Sequence, residues 1–324
     1  MLAYVANRLA QGLVLLLAMS VLVFVAVYAI GNPVTMLINP SSPPEVIEET
    51  IRRFGLDQPM HVQYWRFLTH ALQGDLGVSY ISSQPAIRLI VERFPATLEL
   101  TLTAMLIALL VGLPCGLVAG YWPRGIVART IGTLSVIGIS LPTFWIGLML
   151  ITVLSIQLGL FPTGGRGPIS TILGLESSLF TLRGWRHIAL PAFNLSLFPM
   201  ALVIRLTRAG VQENVSANHI RYARAKGLSP SRIMFRYVLK SISIPIITVL
   251  GIVFGVLLAF GVVTETVFAW PGIGKLIIDA IKTSDRPVII AYLLFTVVLF
   301  TLINLMVDLI CALIDPRVST SGAN

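Results

Sequence analysis

Long apolar runs alternate with short polar connections along this chain, at a spacing that suits a bilayer rather than a globular core. Six stretches are apolar and long enough to cross a hydrocarbon layer of about 30 Å. They lie at roughly 9–30, 98–121, 131–160, 188–208, 242–268 and 288–314. The third is overlong and interrupted by Ser140-Leu141-Pro142, which predicts a kink or tilt. The fourth is the weakest, broken by Pro191, Asn194 and Pro199, and counts as a span partly because the connections must alternate between two sides. The first run is too long for the apolar part of a secretory signal and lacks an A-x-A cleavage pattern, so it reads as a retained anchor.

The pattern therefore predicts an all-α polytopic membrane protein with six transmembrane helices. Residues 1–30 are a first segment with its helix, and 31–97 an outer loop with short helices. Residues 98–314 are a five-helix core that contains an inner loop at 209–241, and 315–324 a tail. In the outer loop, Glu45 to Phe54 has helical character, Gly74-Asp75-Leu76-Gly77 is a turn, and Tyr64, Trp65 and Phe67 suit a membrane interface or a small cap.

Composition agrees. Hydrophobic residues make up 56% of the 324 and charged residues 11%, where ordinary soluble domains carry about 25% charged. Cys115 and Cys311 fall in separate apolar runs and fit reduced packing residues better than a disulfide or a metal site. The formal net charge of +9 raises the question of nucleic acid, and its distribution answers it. With both termini inside, the inner side holds twelve basic residues against Glu213, Asp308 and Asp315, and the outer side balances at eleven of each sign. The positive-inside bias thus accounts for the whole excess, and no nucleic-acid partner is needed.

Eight of those inner charges sit between 205 and 241, in the last turn of the fourth span and the loop after it: Arg205, Arg208, Arg221, Arg224, Lys226, Arg232, Arg236 and Lys240. Within it, a short helix is predicted to end at Gly227, because glycine tolerates the left-handed conformation that closes helices. Ser229 then caps a new helix with Pro230 at its first position, where the missing N–H costs nothing. The result is a rigid elbow, which basic residues alone would place on the inner side or against anionic membrane lipid.

The chain carries no chemistry to drive such an elbow. The nearest approach to a nucleotide-binding loop, Gly272-Ile273-Gly274-Lys275-Leu276, lacks the first Gly and the Ser/Thr. The membrane-depth carboxylates that ion coupling would use are Glu99, Glu265 and Asp308, all toward span ends. No hydrolase constellation appears, so the chain reads as a transport subunit, not an enzyme, with no cofactor. Asn304 and Asp308 share a helix face and suit helix–helix hydrogen bonding.

Several motifs together resemble the permease subunits of bacterial ABC importers for dipeptides, oligopeptides, nickel complexes and related cargo. Tyr222-Ala223-Arg224-Ala225-Lys226-Gly227-Leu228 followed by Ile244-Pro245 resembles the family's ATPase-coupling loop. The segment Glu265-Thr-Val-Phe268-Ala-Trp270-Pro271-Gly272-Ile-Gly274 is similar to the family's Glu-Thr-x-Phe-x-Trp-Pro-Gly-x-Gly run. Gly55-Leu-Asp-Gln-Pro59, Gln63-Tyr64, Gly74-Asp-Leu-Gly77, Pro95-Ala-Thr-Leu98, Asn304-Leu-Met-Val-Asp308 and Asp315-Pro-Arg317 follow in the family's order. The chain departs from the family where Ile30-Gly31-Asn32-Pro33 replaces Pro-Gly-Asp-Pro.

The resemblance implies the type I importer fold with cytoplasmic termini, a multi-pass location in the bacterial inner membrane, and a heterodimer with a sister permease. It also implies two ATP-binding subunits, a periplasmic or lipid-anchored substrate-binding protein, and di- or oligopeptide cargo, with nickel chelates, glutathione or opines as alternatives. A lone ion-coupled carrier is the rival from another class. Coupling is expected at Ile220, Arg221, Tyr222, Ala223, Arg224, Ala225, Lys226, Gly227, Leu228, Ser229 and Pro230. Ile220, Ala223 and Gly227 are expected to form an apolar stripe that fits a groove in an ATPase subunit. Glu265, Phe268, Trp270, Pro271 and Gly272 are expected to form an outer gate or a binding-protein contact, or, for the aromatics, an interfacial anchor and turn.

Overall fold

A computed structural model describes residues 2–29, 57–172 and 174–314, with Glu45 and Arg52. The helical reading of Glu45–Phe54, the Ile30–Pro33 departure, Gly55 and Leu56, and the tail from Asp315 lie outside the described residues, as does the side chain of Cys311.

Two units make up the chain: Pro95–Lys275 with the stretch from Leu302 onward, and Leu2–Phe94 with Leu276–Thr301. The helices in order are α1 (Leu2–Ala29), α2 (Met60–Leu72), α3 (Ala86–Tyr121), α4 (Ile126–Ser140) and α5 (Thr143–Leu150). After α5, which runs on as a π-helical turn at Ile151–Gln157, comes a two-stranded antiparallel hairpin, β1 (Ser170–Ile172) with β2 (Leu175–Ser177). Then follow α6 (Leu182–Val215), α7 (Asn218–Ala225), α8 (Pro230–Ile233), α9 (Leu239–Phe260), α10 (Val262–Val267), α11 (Ile273–Lys282) and α12 (Arg286–Ile314).

By length and composition, four helical runs among the described residues can cross a membrane: Ala86–Tyr121, Leu182–Val215, Pro230–Ala259 and Arg286–Ile310. A fifth is the pair Ile126–Ser140 and Thr143–Gln157, bent by 103°. The break expected at Pro142 is present and is sharper than a kink. Pro142 cannot continue the α4 hydrogen-bond ladder and is held extended (ψ 130°), so the chain turns a corner at Leu141-Pro142. The fifth predicted span also shifts. Its helical run starts at Pro230 and passes through a π-helical turn at Met234–Val238, and α10 follows as a separate short helix.

The fourth predicted span, weakest by its letters, is present and longer than expected. α6 is a continuous helix of 34 residues that takes Pro191 and Pro199 in its stride. Of its most apolar stretch, 61% is buried, against 39% or less in the other three runs. Its weak hydropathy follows from that position. Asn194, Ser196 and Thr207 are fully buried among protein neighbours, where helices pack through small and polar residues. The facing helix matches it: Gly112, Gly116 and Gly120 on α3 lie against Val203, Thr207 and Val211 of α6. A Cβ on Gly116 would stand 2.5 Å from the Thr207 Cβ, so the four-residue glycine spacing sets how closely the backbones approach. Ala96, Leu100, Ala104, Ile188, Ala192, Leu195, Val253, Leu257 and Trp270 complete this core.

In the other unit, α2 caps α1. Tyr64 and Phe67 pack on Phe24 at ring separations of 5.3 and 5.9 Å, and the Tyr64 hydroxyl meets Ser20 Oγ at 2.8 Å. Trp65 stays exposed. Gly74 and Gly77 both take positive φ at the expected turn, and Asp285 accepts from Ser79 Oγ (2.5 Å) and the Tyr80 N–H (3.1 Å).

Candidate functional site

The elbow forms as its residues dictate. Gly227 has φ +75°. Its N–H donates to Arg224 O at 2.9 Å and the Leu228 N–H to Ala223 O at 3.3 Å, the paired bonds of a Schellman closure. Ser229 then turns the chain, its Oγ accepting from the Arg232 N–H at 3.4 Å, with Pro230 first in α8.

Which face points outward differs from the expected stripe. Ile220 (0% exposed) and Ala223 (3%) are buried in the chain's own core with Val211, Ile233, Val238, Ile242 and Ile246. A helix of eight residues holds against the spans only by burying its apolar face there, so that face cannot also fill a groove in a partner. The outward face consists of Arg221, Tyr222, Arg224, Ala225, Lys226, Gly227, Ser229 and Pro230, while Leu228 is half-buried. Tyr222 is 63% exposed, and the Lys226 ammonium sits 4.6 Å from its ring centroid.

Tyr121, at the last turn of α3, packs on the elbow core. The second cluster gathers 25 residues earlier on the same helix, about 38 Å away at the α-helical rise. There Ala96 O accepts from the Trp270 indole N–H at 2.8 Å. Thr97 Oγ1 donates to Glu265 Oε1 at 2.6 Å and accepts from the Ile273 N–H at 2.9 Å. Glu265 Oε2 accepts from the Lys275 N–H at 2.9 Å. The hydroxyl and the carboxylate thereby cap α11, whose first N–H groups have no intrahelical partner and whose dipole favours negative charge. Any side chain on Gly272 would collide with the Glu265 carboxylate, which explains the Pro-Gly in this turn.

Phe268 and Trp270 are 1% and 0% exposed, and Glu265 is 1% exposed. This corrects the reading of these aromatics as an interfacial anchor or a surface for a binding protein: the indole is consumed by α3, and of the five residues Pro271 alone is exposed. The cluster is buried and hydrogen-bonded within the chain, and the expectation of an outer gate is left as it was.

One turn further along α3, Glu99 builds a second such cluster that the motifs did not announce. Its Oε2 accepts from Arg166 Nε (2.9 Å) and Nη2 (2.5 Å). Its Oε1 accepts from the N–H groups of Ser178 and Leu179, both at 3.1 Å, and from the Ser178 hydroxyl. Arg166 lies on a connection and Ser178 just past the hairpin, so no periodic signal linked them to Glu99. A weaker signal was there: an acidic residue at membrane depth needs a partner. The His187 ring Nδ1 meets Gly164 O and Gly165 O at 3.1 Å each, and the Gly165 N–H donates to Phe268 O at 2.9 Å, which joins the two clusters. These contacts hold Glu99 between Arg166 and the turn after the hairpin.

Long apolar helices, one of them more buried than the rest, with a basic elbow at one end of α3 and hydrogen-bonded connections at the other, define an α-helical membrane protein. Sequence comparison fixes the family. Residues 112–320 match the binding-protein-dependent transport system inner membrane component, and residues 1–101 match its N-terminal companion. The chain belongs to this family and is a permease subunit of an ABC importer, a protein of the membrane. It is 38% identical over 319 residues to the glutathione transport system permease protein GsiC of Escherichia coli (strain K12), covering 98% of this chain and 99% of that one. GsiC of Salmonella paratyphi A (strain ATCC 9150 / SARB42) matches to the same extent. Among solved structures, two crystal forms of the MetNI methionine ABC transporter align over 70% of this chain and 96% of theirs, with TM-scores of 0.53 and 0.56 at 18% identity, a likeness of fold.

Proposed function

We propose that this chain is one of two permease subunits of an ATP-driven importer for small peptides, with glutathione the foremost cargo. The 38% identity to glutathione permeases, running through 98% of the chain, carries the choice of cargo. In this reading the chain makes six crossings with both termini in the cytoplasm: the first is α1, the third the bent α4–α5 pair, and the elbow faces inward, as the basic residues favour. A sister permease, two ATPase subunits and a substrate-binding protein complete the importer.

The elbow acts as the lever. Arg221, Tyr222, Arg224 and Lys226 meet the ATPase subunit, their charge and exposure suiting an acidic groove. Ile220 and Ala223 pass the movement inward, since they pack on Val211 of α6 and on Ile242 and Ile246 of α9. ATP-driven approach of the ATPase subunits thereby tilts the central helices between two packed arrangements. The clusters at Thr97 and Glu99 keep the far end of α3 a single body, so displacement at the elbow reaches the outer connections.

The test is uptake of labelled glutathione by cells lacking this chain and by the complemented strain, and by proteoliposomes containing the whole importer. Uptake that requires both ATP and the binding protein supports the proposal. Uptake that survives loss of the ATPase subunits, or follows an ion gradient, points to the secondary carrier instead.

A further inference from the structure

Beside the elbow, the end of α3 and the start of the 230–260 run leave an open groove of about 620 Å³. Its walls are Leu117, Val118, Tyr121 and Trp122 on one side and Met234 and Phe235 on the other. Trp122 is 61% exposed and Phe235 65%, large areas to leave open without cover. The apolar run that ends at Tyr121 meets here the start of the helix at Pro230, whose first turns carry Arg232, Arg236 and Lys240, and basic residues at the end of an apolar run suit the headgroup side of a membrane.

The groove opens onto an apolar stripe. Leu106, Leu110 and Pro114 are exposed along α3 at four-residue spacing and lead to Val118. The stripe is about 18 Å long at the helical rise, close to one leaflet of a hydrocarbon core about 30 Å thick. At its other end the surroundings turn basic. A neighbouring cavity of about 90 Å³ shares Tyr121, Pro230 and Met234 with the groove and is lined by Arg224. The rim itself is Arg124, Arg232 and Arg236, exposed close by in sequence, and none of these three guanidinium groups forms an ion pair among the described residues.

We propose that the groove holds an anionic phospholipid, one acyl chain along Leu110–Val118 between Trp122 and Phe235, its phosphate at the arginine rim. A stripe of acyl length ending in unpaired cations at the membrane boundary matches that ligand in shape and charge. A partner helix would need a run of acidic residues at this depth to do the same. Because the lipid lies against Pro230 and Met234, it braces the elbow from the membrane side.

Native mass spectrometry of the intact importer, stripped of lipid and then offered 1-palmitoyl-2-oleoyl phosphatidylglycerol or the matching phosphatidylcholine, tests this. The wild type is expected to retain the anionic lipid at least tenfold better. Phe235→Glu, and separately Arg232→Gln with Arg236→Gln, are expected to lower that retention at least fivefold with the complex intact. Equal retention of the two lipids, or retention unchanged in both variants, overturns the proposal. So does a Val118→Cys probe that crosslinks to a partner subunit in the lipid-supplied complex.

Discussion

Thr97 and Glu265, 168 residues apart, are joined by one hydrogen bond of 2.6 Å in a place where each residue is 1% exposed. The bond ties α3 to the Trp-Pro-Gly turn and, through the Ile273 and Lys275 N–H groups, to the start of α11. A family motif that looks from its letters like a surface feature is therefore a cap turned inward.

Thr97→Val removes the hydroxyl and leaves the Ile273 N–H and a carboxylate oxygen short of a partner. The expected cost is about 2–3 kcal/mol, read as a lower thermal midpoint of the purified importer. Thr97→Ser keeps both bonds and is expected to stay near wild type.

Arg166→Met strands the Glu99 carboxylate in a place where the two side chains are 10% and 5% exposed. Removing one member of such a pair costs about 3–5 kcal/mol. The hairpin connection at 158–181 is expected to become cleavable by protease. Restoring the charge with Arg166→Lys recovers only part of the protection, because Lys cannot supply the two-pronged contact to Oε2.

Gly116→Val drives a side chain into Thr207 and toward Ile204 O, 2.9 Å from the position of its Cβ. The α3–α6 seam must open, and the variant is expected to reach the membrane at a small fraction of the wild-type level. Gly138→Ala is the control: nothing lies within 4 Å of its Cβ position, and alanine in the interior of α4 gains about 0.5–1 kcal/mol.

Gly227→Ala meets no atom within 4 Å, so its whole effect is backbone strain at φ +75°. That strain is about 1–2 kcal/mol, expected as reduced uptake with normal membrane insertion. Gly227→Asn, which tolerates this conformation, is expected to keep most of the activity.

The elbow was legible because its signals are local: Gly227, Ser229 and Pro230 each act on their own backbone, and the structure has the closure and the cap where those residues place them. The corner at Pro142 was legible as a break, though not as a bend of 103°, since the angle depends on what α4 and α5 pack against. Hydropathy found α6 but ranked it the weakest span, because it measures preference for lipid and more of this helix than of the other three runs is packed against protein. The direction of Ile220 and Ala223 was likewise hidden. An apolar stripe shows that a helix has a partner, not whether the partner is its own chain. Glu99 was legible as a membrane-depth carboxylate, but its partners Arg166 and Ser178 were not, since contacts across 67 and 79 residues leave no spacing to read.

The account turns on the outward face of α7 being the lever. Its most direct test is ATP hydrolysis and glutathione uptake by the complete reconstituted importer with Tyr222→Ala or Arg224→Glu in this chain. The predicted result is an assembled complex of normal thermal midpoint that has lost both uptake and stimulation of hydrolysis by the binding protein. Wild-type uptake and stimulation in both variants would contradict it and leave the basic elbow a topology signal alone.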